Sequence, residues 1–422
     1  MKKNISKISL SIIISIPFFI ASCGKDDEDN TTAVENQPPN AFELVEVING
    51  ANEVDLFPSF QWNTASDPEN DEVTYSLFLD TDEQPSTLIA ENLSSTNFTL
   101  SDRLFVLTDY YWKVIAKDSQ GNQTESETFH FRTRNLNFPE NALVDEASFL
   151  ARWGHSTLAF ENQLWLIAGY TGISRNDIWR SSNGVDWMEV NAEAAFSARR
   201  AHASVIFDDK MWVIGGRDGF GKKNDVWYSS DGITWTEATP EAAFSPRDSH
   251  KAVVFDGKIW VIAGEDDTSR KNDVWYSTNG VEWVEATSSA PFSVRERFGA
   301  MVFRDKVWIL GARDGETRKN DIWFSSDGVN WTEATSNAEF SDRSGFASVE
   351  FDDKIWVIGG YDVEFKNDIW YSSNGTNWFE ATPNAFFPAR NRHSSVVFDN
   401  KIWVIGGFGG GNLRYNDVWA FD

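Results

Sequence analysis

The sequence predicts an all-β protein: a six-bladed β-propeller over residues 135–422, preceded by a smaller β-sandwich over residues 40–134. Three observations carry this. Trp179, Trp227, Trp275, Trp323, Trp370 and Trp419 each follow Asn-Asp and a Val or Ile, at gaps of 48, 48, 48, 47 and 49 residues. A second series runs Trp165, Trp212, Trp260, Trp308, Trp356 and Trp403, and a third runs Trp187, Trp235, Trp283, Trp331 and Trp378 with no sixth member. Each unit reads as short strands, and a fixed period in this range marks a repeat architecture.

One unit shows the plan. HSSVVF (393–398) is a short apolar run that ends in a turn at Asp399-Asn400. KIWVIGG (401–407) is almost wholly apolar, so both of its faces are expected to be buried. A variable loop and a third strand such as NDIWYSS (367–373) follow. An Asn-Gly or Asp-Gly turn comes next, a strong hairpin signal because both turn residues must reach positive φ. The fourth strand is expected to hold the last tryptophan. Four antiparallel strands per unit describe a propeller blade.

The units resemble kelch repeats. Each has a basic residue before the first strand, a small-residue doublet ending the second, and an aromatic in each of the third and fourth. The doublets are Ala168-Gly169, Gly215-Gly216, Ala263-Gly264, Gly311-Ala312, Gly359-Gly360 and Gly406-Gly407. SSDGITW (229–235) also resembles the Asp-box of sialidases, with one residue missing between Asp and Gly. Residues 135–422 number 288, six times 48. The final unit stops at NDVWAFD, without a fourth strand, and the segment around Leu136–Glu140 is in phase to supply it. That pairing would leave no open sheet edge.

Residues 1–22 read as a signal peptide, with Lys2, Lys3 and Lys7 ahead of the apolar LSIIISIPFFIA. Ile20-Ala21-Ser22-Cys23 resembles a bacterial lipobox, which implies cleavage before Cys23 and lipidation of its thiol. Cys23 is the only cysteine, so the chain has no internal disulfide and no thiolate metal site. Residues 23–39 then form an acidic tether, expected to be disordered. An acidic run after a lipidated cysteine resembles the surface-export signal of Bacteroidota lipoproteins. The expected location is the outer membrane, facing the cell surface, with a periplasm-facing lipoprotein as the alternative.

Residues 40–134 read as strands at 42–47, 57–63, 73–81, 96–100, 110–119 and 128–134. Trp62 in an early strand, with Tyr110 and Trp112 in a late one, resembles a fibronectin type III sandwich. The simplest role for this module is a spacer. The acidic loop DPENDE (67–72) is read as solvated, not as a calcium site.

The net charge of −27 argues against a nucleic-acid partner, because there is no basic groove to neutralise phosphates. Seventeen of the twenty tryptophans belong to the three series and are expected to fill the core rather than form a sugar-binding surface.

Comparing the units sorts structural positions from free ones. Arg152, Arg199, Arg247, Arg295, Arg343 and Arg390 recur three residues after a phenylalanine. Such uniformity favours an ion pair in every blade over a ring of ligand-binding guanidiniums. His155, His202, His250 and His393 follow three residues later, with Phe298 and Phe346 in the remaining two units. The phenylalanines, and the lack of a matching carboxylate series, argue against a metal; no metal or cofactor is expected.

Two positions do vary. The residue after each arginine is Trp153, Arg200, Asp248, Glu296, Ser344 or Asn391. The residue after each doublet is Tyr170, Arg217, Glu265, Arg313, Tyr361 or Phe408, and Arg297 and Arg392 add charge nearby. In kelch propellers these two loops share one face. Stacking faces and orienting polar groups gathered there suit the capture of a glycan or an extracellular protein. The alternative is a carbohydrate-active enzyme of the mutarotase or glycosidase kind, since kelch relatives include a sialic acid mutarotase. Asp248, Glu296 and Arg200 are then the candidate acid, base and orienting group. A second relative, a copper-radical oxidase, needs a cysteine that this chain commits to lipid.

Overall fold

The computed structural model describes residues 35–422, which contain no helix. The expected signal peptide, Cys23 and the start of the tether lie outside the described residues. The tether's last residues do not read as disordered. Asn36 donates to the Asp118 carboxylate at 2.6 Å and Pro39 is buried, so the sandwich takes over the chain earlier than expected.

The N-terminal module has two sheets around one core. Leu44–Glu46, Ser59–Trp62 and Asn97–Thr99 form one. The other is built around Thr74–Asp80 and Asp109–Lys117, with Phe129–Thr133 beside them. Phe60, Trp62, Tyr75, Trp112 and Phe131 fill the space between. Period-2 alternation is clear in Thr74–Asp80 and Asp109–Lys117, whose alternate residues are buried. Three strands were not legible: Ala51–Val54, Leu88–Leu93 and Gln123–Glu125. They are short edge strands with few fully buried side chains, so periodicity has little to act on.

Residues 156–421 form a ring of antiparallel sheets, numbered here in chain order. Sheet 2 is typical: Ala203–Phe207, Lys210–Arg217, Lys222–Ser229 and Thr236–Thr239. Sheet 6 has three strands, Ser394–Phe398, Lys401–Gly410 and Leu413–Phe421. First strands of successive sheets lie side by side, and that of sheet 6 lies against that of sheet 1, so the ring closes around a hub. The apolar second strands are buried on both faces: Ile167 of sheet 1 and Val213 of sheet 2 share one core.

The repeated residues form one constellation per sheet. Arg152 is fully buried and donates to both oxygens of Asp177 at 2.7 Å, and to the carbonyl of Ala168 in the doublet. The Trp179 indole donates to the same Asp177 at 2.8 Å. Asn176 donates to Ala194 and Phe196 carbonyls in the loop leading into the next sheet. Arg199–Asp225, Arg247–Asp273, Arg295–Asp321, Arg343–Asp368 and Arg390–Asp417 repeat the pair at 2.6–2.7 Å. The arginine series is therefore structural. Trp179 and its counterparts through Trp370 are half-buried and act by holding the aspartate, whereas Trp419 is buried. The expectation that this series fills the core holds for Trp419, whereas the other five border it, as Trp179 packs on Phe149 at 6.4 Å.

The hairpin expectation is also corrected. In the Asn-Gly and Asp-Gly turns only the glycine is left-handed, as at Gly232 with φ of 69°. Six residues separate the third strand from the fourth there, so this is not a two-residue turn. Asp231 caps it by accepting the amides of Ile233 and Thr234. A Cβ on Gly232 would stand 2.2 Å from the Trp165 indole of the preceding sheet, which is why only glycine fits. The series-three tryptophans immediately precede the fourth strand rather than lying in it, as Trp235 precedes Thr236–Thr239. Turns with both residues left-handed join first and second strands instead, as at Asp399-Asn400.

Sheet 6 gains no regular fourth strand. The Asn137 amide donates to the Asp422 carbonyl at 2.9 Å, and Val144 bridges Val418. The contact extends beyond Leu136–Glu140 and stays irregular, because Pro139 has no amide to donate. The N-terminal module packs on sheet 5, beside this contact. Its Leu56 and Val106, with Leu136, share a core with Phe351, Trp356 and Tyr371. Arg103 donates to both oxygens of Asp352 at 2.8–2.9 Å.

Candidate functional site

The two variable positions found in sequence are paired through the backbone. Trp153 bridges Tyr170, Arg200 bridges Arg217, Asp248 pairs with Glu265, Glu296 bridges Arg313, Ser344 bridges Tyr361 and Asn391 bridges Phe408. The next residue in the loop before each first strand, Gly154, Ala201, Ser249, Arg297, Gly345 or Arg392, has positive φ. The amides and carbonyls of these six form a closed circle of hydrogen bonds, each joining one sheet to its neighbour at 2.6–3.1 Å. Non-glycine residues rarely adopt this conformation, and the circle is what holds them in it.

All six line a cavity of about 240 Å³ at one end of the hub. Trp153, Arg200, Arg217, Asp248, Glu265, Arg297 and Arg392 line it as well or again. The other predicted residues stand behind or beside it. Tyr170 packs on Trp153 at 4.9 Å, and Phe408 lies 6.4 Å from Trp153. Tyr361 contacts Phe365 at 5.0 Å and carries the Arg318 guanidinium at 4.5 Å. Asn391 turns a buried side-chain oxygen with no partner. Glu296 is buried and bonded to Arg270 at 3.1 Å, and Arg313 stands 3.9 Å from it.

The mouth has two characters. Sheets 5, 6 and 1 contribute an aromatic run through Tyr361, Phe365, Phe408, Trp153 and Tyr170. Sheets 2 to 4 contribute a charged side. There Arg217 lies 4.0 Å from Asp248, Lys222 lies 3.2 Å from Glu265 and Arg297 lies 3.5 Å from Glu296. Carboxylate oxygens of Asp248, Glu265 and Glu296 come within 4.8 Å of one another, which is the spacing of a metal site. Their cationic neighbours already supply the counter-charge, so the cluster is better read as part of an ion-pair network. Burial pushes the Asp248 carboxyl above its ordinary value.

Two guanidiniums have no carboxylate in contact. Arg392 lies over the Trp153 ring at 4.6 Å and Arg200 at 5.6 Å, with Arg200 also 4.7 Å from Tyr170. Neither forms an ion pair among the described residues, and the Arg392 Nε is buried with no partner. Burial and the nearby Arg297 charge push Arg392 down to about 10, so it stays charged at neutral pH.

The histidines form the wall below the mouth. Burial and the adjacent arginines hold His155, His202, His250 and His393 down to about 3, so they are neutral. Ser394 and Ser156 hydroxyls bond His155 and His202 at 2.8 and 2.9 Å.

Sequence comparison missed Lys251, which lines the cavity directly after His250. The matching residues are Ser156, Ala203, Gly299, Ala347 and Ser394, all small. Carrying the unit-by-unit comparison one position further would have found it.

Residues 115–312 match the KLHDC2/KLHL20/DRC7 Kelch-repeats domain, and residues 300–420 match the DUF6242 beta propeller domain. No curated protein matches the chain. Among solved structures, the one titled "Structure of YjhT" superposes with a TM-score of 0.55 at 14% identity, covering 66% of this chain and 96% of that one. The repeats, the ring of sheets and these matches agree: the C-terminal part of the chain is a kelch-type β-propeller.

Proposed function

We propose that this protein is a surface-anchored binding protein that captures a carboxylate-bearing glycan at the propeller mouth. The observation that carries the reading is the pair of guanidiniums, Arg200 and Arg392, flanking Trp153 without a carboxylate partner. In a chain of net charge −27, two cations beside an aromatic face with no carboxylate in contact suit an acidic sugar. Its ring would stack on the aromatic side and its carboxylate would supply the missing counter-charge. A cavity of about 240 Å³ suits a terminal sugar unit rather than a long chain segment.

The same reading takes the propeller as six-bladed and the N-terminal module as fibronectin type III-like. It takes Cys23 as the lipidated residue that anchors the chain in the outer membrane, facing outward. Metabolic labelling with a clickable fatty acid tests the anchor, with Cys23→Ala expected to abolish the label. A glycan array probed with lipid-free protein tests the ligand. Signal confined to carboxylate-bearing glycans supports the reading; signal on neutral glycans alone, or none, removes it.

The raised carboxyl of Asp248, 4.0 Å from Arg217, favours one second reading. A carboxyl that keeps its proton to higher pH can act as a general acid toward a sugar oxygen. Turnover of an acidic sugar that is lost in Asp248→Asn while binding persists would select the enzyme.

A further inference from the structure

We propose that Lys251 is the centre of a second recognition point, an anion subsite in the hub below the mouth. In the working protein its occupant is the same ligand carboxylate that faces Arg200 and Arg392, since all three cations line one cavity. That last assignment rests on the binding reading above, whereas the subsite itself does not.

The position has a visible direction. Ser156 and Ser394 occupy the same place in sheets 1 and 6, and each hydroxyl reaches the histidine of the following sheet. In sheet 3 the following ring is Phe298, which offers no hydrogen-bonding atom. Lys251 forms no hydrogen bond or ion pair among the described residues, yet it lines the cavity. Burial lowers its amine from the ordinary value, with no opposing carboxylate among the causes.

The surroundings are polar. His250 and His393 line the same cavity, and neither ring bonds a side chain. The histidines are neutral and cannot offset the ammonium. Lys251 is half-buried, and an ammonium partly withdrawn from water is costly unless it is paired and hydrogen-bonded. Five sheets avoid that cost with Ser, Ala or Gly, and sheet 3 alone incurs it. A small monovalent anion held by the amine removes the cost and explains the exception.

Bromide is the probe. Crystals of the protein soaked in sodium bromide are measured at the bromine absorption edge. The expected anomalous peak lies within hydrogen-bonding reach of Nζ, disappears in Lys251→Ala and persists in Arg392→Met. Alanine is already present in sheets 2 and 5, so Lys251→Ala is expected to fold. No peak at Nζ, or a peak unchanged in Lys251→Ala, overturns the subsite. Adding glucuronate is expected to displace the bromide, and Lys251→Ala is expected to weaken glucuronate binding roughly tenfold. Bromide that glucuronate leaves in place overturns the ligand assignment alone. Failure of every acidic glycan to bind, with the bromide peak intact, instead removes the binding reading above.

Discussion

The Gly154 amide donates to the Arg392 carbonyl at 3.0 Å, joining the first sheet of the ring to the last. Five like bonds complete the circle at the mouth. The same seam is held by Asn416, which donates to the Ala147 and Phe149 carbonyls at 3.0 and 3.3 Å. Because sheet 6 lacks a regular fourth strand, this clamp has little redundancy. Asn416→Ala is expected to cost about 2 kcal/mol. Amide exchange should quicken first in Leu413–Phe421; uniform quickening around the ring would contradict this.

The six arginine–aspartate pairs set the stability of each sheet. Asp273→Ala leaves Arg247 buried and charged, which costs about 3–5 kcal/mol. Denaturant unfolding should show a lower midpoint. A loss below about 1 kcal/mol would mean the guanidinium finds another partner.

The buried histidines make stability depend on pH. His250 is held at about 3 in the fold, whereas an unfolded histidine titrates near 6.5. Between these values the unfolded chain binds the extra proton, so stability is lost as pH falls from about 6.5 toward 3. At pH 5 the loss is about 2 kcal/mol per histidine. His250→Phe copies Phe298 and Phe346, and should narrow the difference in Tm between pH 7 and pH 5. An unchanged difference would show that His250 is not held neutral.

Much of this was legible in the sequence. The period named the repeats, and uniformity marked Arg247 as structural, as its pair with Asp273 bears out. Periodicity reports recurrence, not depth, which is why it did not separate half-buried Trp179 from buried Trp419. Contacts between distant segments leave no periodic mark, so the docking of Arg103 on Asp352 was invisible. Lys251 was overlooked because its neighbours in the other sheets are too small to attract notice.

That docking is itself testable. Trp356 lies in the core shared with the N-terminal module, where the other sheets pack a hairpin glycine on the equivalent indole. Arg103→Ala leaves Asp352 short of its ion pair and should split one calorimetric transition into two. A single transition at unchanged Tm would mean that the apolar core alone holds the modules together.

The most direct measurement of the central claim is isothermal titration of lipid-free protein with an acidic glycan and its neutral counterpart. The account predicts binding of the acidic form only, weakened at least tenfold, or about 1.4 kcal/mol, by Trp153→Ala and by Arg392→Met. Equal affinity for both forms, or binding untouched by either substitution, would contradict it.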